Sequence, residues 1–211
     1  MTISQEIDSS LSRAAAITAI IKKLTLKQHQ EIAIRFFEKF VDNCKAIILL
    51  HKAGLTDEPY TIHRLSMEHL FNISALLKDP NFLEQLQAYS EAQIPKALKA
   101  INSDEGRSKE PVLTRENKAL LAAALIGYDQ NPVREFGYSI FNAAQKSEFP
   151  DFYNSHYRRI SLSYSHSTMA SALQLGDRTE ERDQLLTYVD SFLKIAVMLI
   201  EREFNLEGER H

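Results

Sequence analysis

The sequence is poor in the residues that break a chain or staple it. Its 211 residues include six glycines, six prolines, one cysteine and no tryptophan. A lone cysteine, Cys44, rules out an intrachain disulfide framework and any Cys-rich zinc site. It stands in an apolar stretch of helical period, so it reads as a buried, inert thiol rather than a nucleophile. Scarce glycine and proline exclude collagen-like and low-complexity classes, and the plentiful Ala, Leu, Ile, Glu and Lys favour helix. An excess of one charge is missing too. The 25 Lys and Arg against 28 Asp and Glu leave a formal charge of -3, which gives no global pull towards nucleic acid and leaves only a local basic patch open. Long hydrophobic runs are also absent. "IAVMLI" (195–200), the longest near the C-terminus, is too short to span a bilayer, and "MTISQEIDSS" has neither the basic nor the apolar region of a secretory signal. The expectation is a cytoplasmic protein with no membrane partner.

What is present is helical period, nearly throughout. Residues 2–23 predict a first, Ala-rich helix with Ile17, Ile20, Ile21 and Leu24 on one face. "TLKQ" (25–28) has the form of a capping box with Thr25 as N-cap. It opens a long helix in which Ile32, Phe36, Phe37, Phe40, Val41, Cys44, Ile47 and Ile48 recur at three- and four-residue steps, with Gly54 as the stop. "TDEP" (56–59) starts a third helix, through Ile62, Leu65, Leu70, Ile73, Leu76 and Leu77. Asp79 and Pro80 open a fourth, to about Ile101. "NSDEGRSKEP" (102–111) reads as a polar loop. Thr114 caps a helix to about Tyr128, a short helix runs to about Lys146, and another begins near Pro150. Asp177 and Glu180 repeat the capping-box spacing before a last helix striped with Leu185, Val189, Phe192, Leu193, Ala196 and Ile200. No alternating strand of useful length is present. The fold expected is all-α, an up-and-down helical bundle of long antiparallel helices with smaller ones packed on it, forming a single domain over residues 1–211.

Familiar site motifs are missing. No Glu is followed three residues later by His, as a ferritin-like di-metal site requires, and there is no HExxH, G-x-S-x-G or phosphate loop. No metal and no cofactor are expected. Two polar islands interrupt the apolar pattern instead. In "HRLSMEHLFN" (63–72), Arg64 and Glu68 stand at i, i+4, flanked by His63 and His69. That spacing suits an ordinary helix-surface ion pair. It equally suits an arginine held by a carboxylate so that its guanidinium stays aimed at an anion. In "HYRRISLSYSHST" (156–168), Arg159, Ser163 and His166 fall on one helical face, and Arg158 pairs similarly with Ser165. The plain reading is a satisfied histidine beside solvated arginines. The chemical reading is phosphate-ester chemistry without metal: arginine binds the phosphate, and histidine, titrating near neutrality, moves the proton of a ribose hydroxyl.

Two resemblances meet at these residues. A long apolar helix ending in "LLHKAGL", then R-x-x-x-E (Arg64, Glu68), then the late cluster "YRRISLSYSHS", resembles a widespread bacterial family of domains of unknown function over about residues 40–170. Separately, Arg159-x6-His166 resembles the outer limit of the R-x4-6-H motif of HEPN (higher eukaryotes and prokaryotes nucleotide-binding) helical domains. Many of those are metal-independent ribonucleases of toxin–antitoxin and phage-defence systems, often dimeric. The resemblance implies Arg159 on the scissile phosphate and His166 as acid/base; the reading of the two polar islands adds Arg64, Glu68, Arg158 and Ser163 as the substrate-binding residues expected beside them. It departs from the motif at Ile160, where a small polar residue is usual. The implied partners are RNA or a nucleotide, a second copy of the chain, and a protein partner such as an antitoxin. Two alternatives stay open: a non-enzymatic helical module with an Arg64–Glu68–His166 polar network, and a nucleotide-binding sensor.

Overall fold

The computed structural model describes residues 2–108, 110, 112–130, 137–164 and 179–206. Among them every regular element is a helix, as composition and period predict: α1 (Ile3–Ile21), α2 (Gln28–Lys52), α3 (Asp57–Lys78), α4 (Phe82–Arg107), α5 (Arg115–Gln130), α6 (Ile140–Lys146) and α7 (Pro150–Phe152), then a π-helical turn (Tyr153–Tyr157), α8 (Arg158–Tyr164) and α9 (Thr179–Glu203). Asp177, expected to begin the last cap, lies outside the described residues. The chain divides into two compact units, Met1–Pro80 with Ile140–His211, and Asn81–Ser139.

The larger unit is assembled around α3, which packs on α2, α6, α8 and α9, while α1 lies along α9. The starts and stops of its helices have local causes. The Thr2 hydroxyl accepts the Gln5 N–H while the Gln5 side chain accepts the Thr2 N–H, a reciprocal cap that opens α1. At α2 the cap sits two residues later than "TLKQ" suggests. The Gln30 side chain, not Gln28, takes the orphan N–H of Lys27, at 3.0 Å. α2 ends where Gly54 turns left-handed (φ 81°). The N–H of Leu55 then reaches the Leu50 carbonyl and that of Gly54 the His51 carbonyl, which closes a Schellman motif.

Phe37, Phe40, Phe71, Ile17, Ile21, Leu193 and Ile200 are all buried in this unit, each contributing about 1.5–3 kcal/mol of hydrophobic stabilisation. α3 is buried on more sides than a one-stripe reading allows. Residues from His69 to Leu76 are all buried, whereas Leu65, expected in the core, is 42% exposed. One carboxylate is unexpectedly internal. Asp190 on α9 is buried, accepts a hydrogen bond from Ser10 of α1 at 3.1 Å and pairs with Lys194 at 2.6 Å.

The smaller unit is an α4–α5 hairpin. Thr114 caps α5 as expected, its hydroxyl accepting the Asn117 N–H at 3.2 Å. The polar loop expected at 102–111 needs correction: α4 stays helical through Gly106 to Arg107. Glu105 explains the extra turn. Its carboxylate accepts the N–H groups of Val112 and Leu113 and pairs with Lys118 at 2.7 Å, so the chain beyond the helix is tied back to it. Lys99 and Asp129 pair at 2.9 Å further along the hairpin. Tyr138 packs on Phe82 and Tyr89.

Candidate functional site: an arginine held between α3 and α8

Arg64 and Glu68 lie one turn apart on α3, so their side chains can meet, and they do: Nη2 stands 3.1 Å from Glu68 Oε1. The pair is half-buried rather than free on the surface. Its side chains retain 24% and 18% exposure because α8 lies across them. The Tyr157 hydroxyl accepts from Arg64 Nη2 at 2.8 Å and donates to Glu68 Oε1 at 2.9 Å. The Ser161 hydroxyl accepts from Arg64 Nε at 3.2 Å. The guanidinium also sits 5.0 Å from the centre of the Tyr157 ring, a cation–π contact. Burial, and next to it the charge of Glu68, push the Tyr157 phenol upward, so it stays protonated and keeps its donor role.

The turn that delivers Tyr157 is not α-helical. Over Tyr153–Tyr157 the backbone takes one extra residue per turn, and the Arg158 N–H bonds back to the Tyr153 carbonyl. Beyond it, Tyr157, Ile160, Ser161 and Tyr164 share the face towards α3. Tyr164 stacks on Tyr60 with ring centres 4.1 Å apart, and its carbonyl accepts the Thr61 hydroxyl at 3.0 Å. Both phenols reach Glu181 at the start of α9: Tyr60 donates to its carbonyl at 2.8 Å and Tyr164 to its carboxylate at 3.0 Å.

Beside this cluster lies a histidine pair. His63 precedes Arg64 on α3 and is buried. Its Nε2 lies 3.2 Å from Nε2 of His156, which the π-helical turn carries. Tyr188 and Phe192 of α9 pack on both rings. Burial, and then the neighbouring His156, lower the His63 pKa to about 3. Burial, and then Arg159, lower that of His156 to about 4. At neutral pH both rings are uncharged, one donating and the other accepting, and neither offers an imidazolium acid. His69 is elsewhere. It is buried against Phe36 with its pKa lowered to about 4, first by burial and then by Lys39.

Of the residues singled out in the sequence, Arg64 and Glu68 are therefore joined. The partners they receive are Tyr157 from the π-helical turn and Ser161 from α8, not Arg159 and Ser163. Arg158 and Arg159 are exposed and Ser163 is half-buried. His166 lies outside the described residues, as does Ser165. Tyr157, Ser161, His156 and the Tyr60–Tyr164 stack were not singled out. The available signal was the stripe 157, 160, 161, 164, which has helical spacing and holds the buried Ile160. Among the described residues no group of three or more His, Cys, Asp or Glu is arranged to hold a metal ion, and no helix is long and apolar enough to cross a membrane.

Fold and site together define an all-α helical protein with an arginine clamped by glutamate, tyrosine and serine where two helices meet. The chain belongs to DUF5677, a family of unknown function, whose profile matches residues 30–184. The match takes in both sides of the site and is wider than the stretch that the quoted motifs cover. No curated protein matches the chain, and no solved structure does.

Proposed function

We propose that the α3–α8 junction is a phosphate site, and that the chain is a HEPN-like, metal-independent endoribonuclease. The observation that carries this reading is how Arg64 is held. Ser161 takes its Nε, while Tyr157 and Glu68 take Nη2. Nη1 has no protein partner among the described residues, and the side chain keeps 24% exposure. A guanidinium immobilised on one edge and open on the other is preorganised to receive an anionic oxygen. Arg158 and Arg159, exposed on α8, add positive charge for the flanking backbone.

In the reaction that suits this site, the 2′-hydroxyl of a ribose attacks the adjacent phosphorus and a base takes its proton. The 5′-oxygen leaves with a proton from an acid, giving a 2′,3′-cyclic phosphate and a 5′-hydroxyl. The neutral His63–His156 pair does not suit the acid. That role falls to His166, which enters from the sequence motif alone.

A second reading is favoured by the closure of the cluster. Arg64, Glu68, Tyr157 and Ser161 satisfy one another, as a non-enzymatic module needs in order to fix α8 against α3. Incubating a mixed RNA pool with purified chain in EDTA separates the two. The enzyme reading expects cutting that leaves cyclic phosphate ends and is lost in His166→Ala, Arg159→Ala and Arg64→Lys variants that retain their helical content. Absence of cutting by the wild type, with Arg64→Lys melting well below it, overturns the enzyme reading in favour of the module.

A further inference from the structure

A row of aromatic rings leads outward from the arginine clamp. Tyr157, which holds Arg64, stacks on Tyr153 with ring centres 5.1 Å and planes 21° apart. Tyr153 in turn meets Phe141 of α6, edge to face, at 5.2 Å and 70°. The row ends at the surface: Tyr157 is buried, Tyr153 is half-buried and Phe141 is 44% exposed.

Phe141 is not among the residues that seat its own helix. α6 packs on α3, and what it buries is Ala143 and Ala144. One exposed ring is ordinary by itself. This one is the outer end of a continuous stack, and the inner end of that stack touches a guanidinium 5.0 Å away that is held on one edge and open on the other.

The two ends match the two parts of a nucleotide. A fixed guanidinium takes a phosphate. An exposed ring takes the face of a base, and it takes any base, since all have a π-face. Duplex RNA keeps its bases stacked inside the helix, so only an unpaired strand can lay one on Phe141. Even a stacked strand advances about 3.4 Å per nucleotide, so three contacts of 5.0–5.2 Å are spanned by a few nucleotides.

We propose that Phe141, backed by Tyr153, is a base-stacking platform for single-stranded RNA whose phosphate, a few nucleotides along, lies on Arg64. The proposal rests on the ribonuclease reading for the phosphate at Arg64. It adds the form of the substrate, an unpaired strand engaged without preference for base.

The chain has no tryptophan, so Phe141→Trp in the full chain places a single indole at the platform. The probe is a mixed-sequence single-stranded RNA oligonucleotide, 2′-O-methylated throughout so that no 2′-hydroxyl can attack. It should quench the indole fluorescence of Phe141→Trp, and the same strand annealed to its complement should not. Phe141→Ala, at an exposed position, should keep its helical content. It should bind the single strand about 5- to 150-fold more weakly than wild type, read by fluorescence anisotropy of the end-labelled probe. Cutting of unmodified RNA is measured on the same proteins. A wild type that cuts RNA, with Phe141→Ala binding and cutting equally well, overturns the platform and leaves the ribonuclease reading in place. Quenching by the duplex as strong as by the single strand does the same. Binding and quenching by the single strand without any cutting overturn the ribonuclease reading and leave the platform. A wild type that neither binds the single strand nor cuts RNA overturns both.

Discussion

The Nε2 atoms of His63 and His156 meet at 3.2 Å beneath Tyr188 and Phe192, although the two residues are 93 positions apart in the chain. This contact requires one ring to donate and the other to accept, so it exists only while at least one of them is unprotonated.

Stability should therefore fall with acid before the carboxylates titrate. Both histidines have folded pKa values below the ordinary 6.5, at about 3 and about 4. As pH falls below 6.5 the unfolded chain binds protons that the folded chain refuses. The stability gained from the neutral pair is thus complete above pH 6.5 and is lost progressively towards pH 4 and below. The midpoint of urea unfolding should drop between pH 7 and pH 5. In His156→Gln, which keeps a hydrogen-bonding side chain but does not titrate, the drop should be shallower. A midpoint that stays flat over that interval in the wild type would contradict this account.

Tyr157→Phe removes one hydroxyl that bridges two charged groups while keeping the ring over the guanidinium. The expected loss is about 1–3 kcal/mol, measured by equilibrium urea unfolding. Combining it with Glu68→Gln in a double-mutant cycle should give a coupling of at least about 0.5 kcal/mol. Additive effects would mean that the bridge seen in the structure adds nothing beyond its parts.

Cys44 is buried in α2, and burial pushes its thiol pKa well above the ordinary range. In the native protein it should fail to react with a chromogenic disulfide reagent at pH 8 and should react once, stoichiometrically, in denaturant. Rapid reaction of the native protein would mean that the core around α2 opens far more readily than its packing implies.

The helices could be read from the sequence because their signals are local. Thr114 and Gly54 act within a turn of themselves, and the apolar residues of α2 and α9 recur at the period of the structure they form. The misread boundary at 102–111 had a tertiary cause, since only the contacts of Glu105 with Val112, Leu113 and Lys118 show why polar residues there remain helical. Half of the candidate site was equally legible, because Arg64 and Glu68 declare themselves by spacing. Tyr157 and Ser161 did not, because the phase of α8 depends on a π-helical turn for which no sequence period was available. The histidine pair joins two distant segments, and periodicity along one helix carries no information about such a contact.

That π-helical turn also says where this protein can change length. A π turn holds one residue more than an α turn while the helices on either side keep their directions. A chain one residue shorter between Tyr153 and Tyr157 could run through as ordinary α-helix and still lay the same two side chains on Arg64. Between Tyr157 and Ser161 no such slack exists. There a single insertion or deletion turns Ser161 about 100° away from the arginine, so the clamp tolerates indels on one side of Tyr157 and forbids them on the other.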